Sequence, residues 1–335
     1  MAFDRDICGI DSSSVADASS ITSAMRSRAQ GCLMGQIAGD SLGSLVEFMD
    51  RDTIRLRYPD GVRFLADGGT YNTLAGQPTD DSEMALLLAR KLVEIRRYCA
   101  QQMGKQYRYW LSTDPFDVGR TIAGALRGKP SSESQANGAL MRVSPLGIFG
   151  AGRARADVMK WAGKDAALTH GHPVCAQANA LYAALIAHAV REGGTGAELY
   201  ETLLGWMKRM KLEAPLREAV ERAADQPPHD YITHLGWVLV AFQNALWQML
   251  HAPGFEEGVV DTVMRGGDTD TNAAIAGALL GAVYGIEAVP AQWRESVLSC
   301  RPAEGRAPNP RPEVFWPTDA LDLANALLDA GFEKK

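Results

Sequence analysis

The sequence lacks the features on which several function classes depend. Its five cysteines, Cys8, Cys32, Cys99, Cys175 and Cys300, are odd in number, widely spread and free of any CxxC pair. That pattern argues against a disulfide framework or a thiolate zinc cluster and fits a reducing, cytoplasmic setting. Positive charge is not in excess: 34 Lys and Arg face 40 Asp and Glu, a net charge of −6. Non-specific binding to nucleic acid or to an anionic membrane is therefore not expected. The longest apolar runs, near residues 84–89 and 273–286, fall short of the ~20 residues of a membrane span. The opening MAFDRDICGIDSSS has no apolar stretch of signal-peptide length. Strand-like alternation is scarce, RLRYPDGVRF being the nearest candidate. No Gly/Ser linker or composition break divides the chain, and no repeat is visible.

What is present is a large, helix-forming core. Of 335 residues, 46% are hydrophobic and 22% charged, which excludes wholesale disorder. Residues 1–22 are polar and Ser-rich and read as a flexible N-terminal extension. From residue 23 to 335 the pattern predicts one all-α domain. Segments such as MALLLARKLVEIRRYCAQQM and AAIAGALLGAVYGIEAV repeat apolar residues at steps of three and four. Several are apolar almost all round, as helices at the centre of a bundle are. Gly31, Gly35, Gly39 and Gly43 recur every four residues, as do Gly277, Gly281 and Gly285. On a helix each set forms one smooth stripe, where a second helix backbone can approach. Glycine costs about 1 kcal/mol relative to alanine in a helix interior, so the stripes are expected to be packing surfaces.

Acidic residues cluster at the starts of two of these helices. In GQPTDDSEMALLLAR, Thr79, Asp80 and Asp81 precede an apolar run, and Asp80-x-x-Glu83 has the spacing of a capping box. In RGGDTDTNAAIAGALLGAVYG, Asp268, Asp270 and Thr271 lie in a glycine-turned loop before another. A helix cap explains one acid in each place and leaves the rest. Carboxylates held together away from water are costly unless a cation neutralises them. An all-oxygen set selects hard ions, Mg²⁺ or Mn²⁺, over zinc. The loop GGDTDTNAAIAG lacks the central Gly and terminal Glu of an EF-hand; two ions bridged by D-x-D fit better. A third segment, GCLMGQIAGDSLGSLVEFM, places Asp40 and Glu47 seven residues apart. The helix is expected to end near Gly43, leaving Glu47 on a loop between Val46 and Phe48, where an apolar setting raises its pKa toward that of an acid/base group. His170 and His172 in LTHGHPV are spaced as a metal pair, but the oxygen-rich motifs elsewhere argue against one. No general-base motif accompanies the cysteines, so thiol catalysis is not expected.

Taken in order, GDSLGSLVEF, PTDDSEM, NGALMRVSPLG, LTH and GGDTDTNAAIAGALLGA resemble the motifs of the ADP-ribosylglycohydrolase family, the group typified by dinitrogenase reductase-activating glycohydrolase. They cover about residues 30–285. The resemblance implies a single compact orthogonal helical bundle with a dinuclear metal cleft. It implies that Thr79, Asp80 and Asp81 ligate one Mg²⁺ or Mn²⁺ ion, that Asp268 and Thr271 ligate the other, and that Asp270 bridges. Glu47 matches the acid beside the metals, and Glu47, Asp81 and Asp270 are the catalytic candidates. Asn137, Gly138, Ala139, Met141 and Arg142 match the motif lining the ADP-ribose site, His170 the histidine facing the nucleotide, and Trp237 an aromatic near the substrate. Ala139 stands where many members carry a hydroxylated residue. Some arginine-specific members have an acid just before Asn-Gly; Glu133 is the nearest equivalent here.

The implied activity is metal-dependent removal of ADP-ribose from a modified protein side chain, arginine first, with the ions holding the distal ribose. Two other roles belong to the same resemblance. One is immunity against an ADP-ribosyltransferase toxin, by hydrolysis or by steric blocking through the N-terminal extension, where Phe3, Ile7 and Ile10 alternate with Asp4, Asp6 and Asp11. The other is a catalytically dead structural member, against which the intact acids argue.

Overall fold

The structure is a computed structural model that describes residues 21–333. Among these residues all regular structure is helical, as expected. The helices are α1 (Ser23–Gly43), α2 (Arg51–Arg57), α3 (Asp80–Ile95), α4 (Ala100–Ser112), α5 (Arg120–Leu126), α6 (Ser144–Gly150), α7 (Arg155–Ala166) and α8 (Pro173–Glu192). They continue with α9 (Gly196–Met207), α10 (Ala214–Arg222), α11 (Val238–His251), α12 (Phe255–Val263), α13 (Thr269–Tyr284), α14 (Ala291–Ser299) and α15 (Ala320–Phe332). The strand candidate RLRYPDGVRF forms the end of α2 and an irregular loop instead; only Val62 within it is buried, with Ile54 and Leu65 flanking it, too few to build a sheet face. All but two residues of the predicted extension 1–22 lie outside the described residues. Of those two, Thr22 caps α1, its hydroxyl accepting from Met25 N at 3.2 Å, and Ile21 packs on the core.

Two glycine stripes make the centre. α1 lies directly on α13, and their backbones touch where the stripes face each other. A Cβ placed on Gly31 would stand 2.5 Å from the Gly281 carbonyl oxygen. Cβ atoms on Gly35 and Gly277 would each strike the other's carbonyl. Around this pair, α6, α8, α11, α12 and α15 complete one continuous core. Tyr182 of α8 donates to the Ile275 carbonyl at 2.7 Å, tying the α8 side chain to α13. α8 is also long and apolar enough to cross a bilayer, but 78% of its apolar stretch is buried inside the protein. The free cysteines Cys32, Cys175 and Cys300 are all buried.

The stripe ends where the chemistry begins. A Cβ on Gly43, the last residue of α1, would overlap the backbone of Asp270. The ends of α1 and the start of α13 are thus held in backbone contact.

Adding one methyl group along the stripe should test this arrangement. Gly277→Ala gains helix propensity yet drives a Cβ into the Gly35 carbonyl, so it should destabilise the protein by about 1–3 kcal/mol. Gly205 on α9 has nothing within 4 Å of its would-be Cβ, so Gly205→Ala should stabilise by about 0.4–1 kcal/mol. Urea unfolding of both variants reads the sign directly.

Candidate active site

Four chain segments converge at the junction of α1, α3 and α13. The first is the turn after α1, which carries Glu47. Its neighbour Phe48 adopts φ +65°, an unusual conformation for a bulky residue. Its N–H donates to the Gly267 carbonyl at 2.8 Å, and Gly267 N–H donates to the Met49 carbonyl at 2.9 Å. Gly266 and Gly267 take φ near +80° and +81°, the left-handed geometry that turns RGGDTDT into α13. These bonds fix Glu47 beside Asp268, at the start of α13, and Asp270, in its first turn.

The first turn of α3 is capped from outside. The proposed Asp80–Glu83 capping box does not form. Instead Asp40 of α1 accepts from Thr79 N (3.1 Å), Thr79 Oγ1 (2.8 Å) and Ser82 N (3.1 Å). Glu83 turns away to a buried ion pair with Arg311, at 2.7 and 2.9 Å, and accepts from Trp110 Nε1 at 2.7 Å. Arg311 also donates to the Thr113 carbonyl and hydroxyl, at 2.9 and 2.8 Å. It thereby anchors the loop that leads to Asp117.

The acids so gathered form two groups that share Asp270. One oxygen each from Glu47, Asp268 and Asp270 lies within 4.8 Å of the others, as do oxygens of Asp40, Asp81 and Asp270. Thr79 Oγ1 and Thr271 Oγ1 sit 3.1 and 3.3 Å from Asp81 Oδ2. Asp80 accepts from Gly119 N–H at 3.2 Å, and Asn137 Nδ2 donates to Asp268 at 2.6 Å. Glu47 Oε2, Asp81 Oδ1 and Asp270 Oδ2 are buried with no hydrogen-bond partner. Buried acceptors are rarely left orphaned; these three are spread over two groups that share Asp270, an arrangement that suits cations. The donor set is all oxygen, as hard divalent ions require. Asp40 is already committed to Thr79 and Ser82, so it holds the α3 turn in place.

A cleft of about 850 Å³ opens over these acids, within the size range of ligand pockets. Asn137, Gly138, Met141, His170 and Trp237 line it, together with Glu47, Asp80, Asp268, Asp270, Thr271 and Glu133. Ala139 and Arg142 do not; both are fully buried behind the wall. Arg142 pairs with Asp165 at 3.0 Å and donates to the Gly138 carbonyl (3.1 Å) and Thr169 Oγ1 (2.9 Å). It ties the Asn137–Gly138 turn to the His170 loop and positions both. Burial and the Arg142 charge lower the His170 pKa to about 3, so this imidazole is neutral, and its buried Nε2 has no partner. His172 is not part of a metal pair: it caps α8, its Nδ1 accepting from Val174 N–H at 3.2 Å.

The sequence motifs omit one acid. Asp117, on the loop before α5, lines the cleft and accepts from Tyr71 OH at 3.0 Å. Its charge helps to push up the pKa values of Glu47 and Asp80, after burial itself. The only signal in FDVGRT is an acid two residues before a glycine that opens a helix.

With this geometry the chain can be compared with known proteins. The sequence profile of the ADP-ribosylglycohydrolase family matches residues 21–331. The chain is 32% identical over 276 residues to an ADP-ribosyl-[dinitrogen reductase] glycohydrolase of Rhodospirillum rubrum, covering 79% of this chain and 88% of that one. It is 28% identical over 320 residues to an ADP-ribosylarginine hydrolase of Pseudomonas putida, covering 90% and 81%. A solved structure described as an ADP-ribosylglycohydrolase-related protein complex superposes with a TM-score of 0.76 at 27% identity, covering 92% of this chain and 100% of the other.

The crowded acids make stability depend on pH in a definite direction. Burial raises Asp40 to about 7; burial, then the charges of Asp117 and Asp268, raises Glu47 to about 9. Asp80, Asp81 and Asp270 are likewise held well above the usual carboxylate range, by burial first. The unfolded chain releases these protons near pH ~4, so above that pH the folded state binds more protons and loses stability as pH rises. The metal-free protein should therefore melt at progressively lower temperature from pH 6 to 9. Saturating Mg²⁺ or Mn²⁺ should raise the melting temperature more at pH 9 than at pH 6, which a thermal melt with and without chelator measures.

Proposed function

The chain belongs to the ADP-ribosylglycohydrolase family, and from that membership we propose that it hydrolyses the N-glycosyl bond between ADP-ribose and a protein arginine, reversing mono-ADP-ribosylation. The observation that carries this reading is Asp270, shared by two carboxylate groups at the floor of the cleft. Thr79, Asp80, Asp81, Asp268, Asp270 and Thr271 would hold two Mg²⁺ or Mn²⁺ ions. Bound there, such ions neutralise the acids, orient hydroxyl ligands and lower the pKa of water.

The chain's own residues divide the remaining work. Glu47 borders the cleft, and its unpartnered Oε2 gives it a free atom with which to hold or deliver a proton. Asn137 N–H is already committed to the Gly236 carbonyl at 2.8 Å. Gly138 N–H has no acceptor among the described residues, and it is the amide left for the diphosphate. Neutral His170 offers Nε2 as a hydrogen-bonding atom without adding charge. Met141 and Trp237 supply apolar wall, the latter held by an indole bond to Gln135 at 3.1 Å. Asp117 lies outside both carboxylate groups, so its charge remains to meet a cationic leaving group; a guanidinium is such a group. Cleavage proceeds through positive charge at the anomeric carbon, which the acidic floor favours. In the toxin-immunity reading, neutralisation by hydrolysis would use this same cleft, whereas steric blocking rests on the N-terminal extension, nearly all of which lies outside the described residues.

Hydrolysis of ADP-ribosylarginine and ADP-ribosylserine proteins, with and without Mg²⁺ or Mn²⁺, tests the reaction; arginine release that needs the cation is expected, and cation-independent turnover contradicts it. Asp270→Ala should lose cation affinity and activity together. Glu47→Gln should keep ADP-ribose binding and lose about 10²–10⁴-fold in kcat. Asp117→Asn should cost about 10–100-fold in kcat/KM on the arginine linkage, as the loss of a charged hydrogen bond does, and less on the serine linkage.

A further inference from the structure

Beside the C-terminal half of α8, residues of α6, α7, α8 and α9 line a second, half-open cavity of about 270 Å³. Its floor is made of Gly150, Ala151, Ala184 and Ala187, residues too small to fill it. Its walls are cationic. Arg155 stacks its guanidinium 4.9 Å from the centre of the Trp206 ring and has no ion-pair partner among the described residues. Arg153 lies over Phe149 at 5.2 Å and donates from Nη2 to the Ala330 carbonyl at 3.0 Å, while its buried Nε has no partner. Arg191 is bonded to Glu192 at 3.1 Å, with both side chains about half exposed, and Glu192 is the one carboxylate lining the cavity. Asp157, one turn into α7, offsets part of the Arg153 charge without reaching ion-pair distance.

Three arginines therefore line the cavity against one glutamate, on a chain whose net charge is −6. His188 lies edge-on to Trp206 at 5.7 Å; burial lowers its pKa, and of the charges around it Glu192 pulls it up while Arg155 and Arg191 push it down. α7 also opens into the cavity. Its N-cap, Ala154, offers no side-chain acceptor; Asp157 N–H bonds the Ala154 carbonyl at 3.0 Å, and the Arg155 and Ala156 N–H groups have no acceptor among the described residues. Helix starts and forked guanidiniums are the two devices that recognise tetrahedral oxyanions.

We propose that this cavity is a binding site for a small phosphate-bearing anion, separate from the hydrolase cleft and independent of divalent cations. The volume suits a phosphate group with little attached. Trp206 reports on its occupancy.

The test uses the full chain in chelator, titrated with inorganic phosphate, adenosine monophosphate and adenosine while tryptophan emission is followed. Phosphate and the monophosphate should change the emission and adenosine should not, and Trp206→Phe should abolish the change. The double variant Arg155→Ala/Arg191→Ala, which alters two exposed side chains, should bind about tenfold more weakly or worse, the loss expected for charge-assisted bonds. Its circular dichroism and its Mn²⁺ binding in the cleft should be unchanged. Tighter binding of the monophosphate than of phosphate assigns the site to nucleotides; equal binding assigns it to the phosphate alone. No response to either anion, an equal response to chloride, or unaltered binding by the double variant overturns the proposal, whatever the outcome at the cleft.

Discussion

Backbone contact between α1 and α13 is the constraint on which the rest depends. Glycine at Gly31, Gly35, Gly39 and Gly43 lets the two helices approach until side chains at those positions would overlap the opposite main chain. Close approach aligns the end of α1 with the beginning of α13. From one come Asp40 and Glu47, from the other Asp268 and Asp270. A helix pair at ordinary spacing of about 8–10 Å would hold these carboxylates too far apart to share a ligand. The entropic cost of six helix glycines, with Gly285 just beyond the end of α13, is thus offset by packing and answered by a site.

That site is poised by opposing terms. Asp40, Asp80, Asp81 and Asp270 are all buried, and each raises the cost of ionising the others. What keeps them in place is a shell of partners. Asp40 grips the Thr79 turn, Asn137 holds Asp268, and Arg311 clamps Glu83 and the Thr113 loop. Arg142 plays the same part on the opposite wall, joining Gly138 to Thr169 and Asp165. The rigid frame prevents the acids from relaxing apart, so the remedy left to the protein is protons or cations.

Much of this was legible in the sequence because it is local. Helical periodicity, the four-residue glycine spacing, and acids at two helix starts all survive in short windows, and so does the end of α1 at Gly43 with Glu47 beyond it. What was hidden is long-range. Glu83 has capping-box spacing, yet its partner Arg311 lies 228 residues away and wins because a buried ion pair with two further bonds outweighs a local cap. Asp40 reads as part of a helix, and only the tertiary structure makes it the cap of another. Arg142 and Ala139 sit in a motif of which Asn137, Gly138 and Met141 line the cleft, while these two face the core. Asp117 stands alone among 40 acidic residues, with no neighbour to single it out. RLRYPDGVRF alternates like a strand, but no partner strand exists among the described residues to pair with it.

The central claim is that α1 and α13 together build one site for two hard cations around Asp270. Electron paramagnetic resonance of the protein titrated with Mn²⁺ tests it most directly, because two ions bridged by one carboxylate couple their spins. The account predicts two bound equivalents with an exchange-coupled spectrum, reduced to an uncoupled signal or none in Asp270→Ala. A single uncoupled Mn²⁺ in the unmodified protein, or a coupled pair that survives Asp270→Ala, would contradict it.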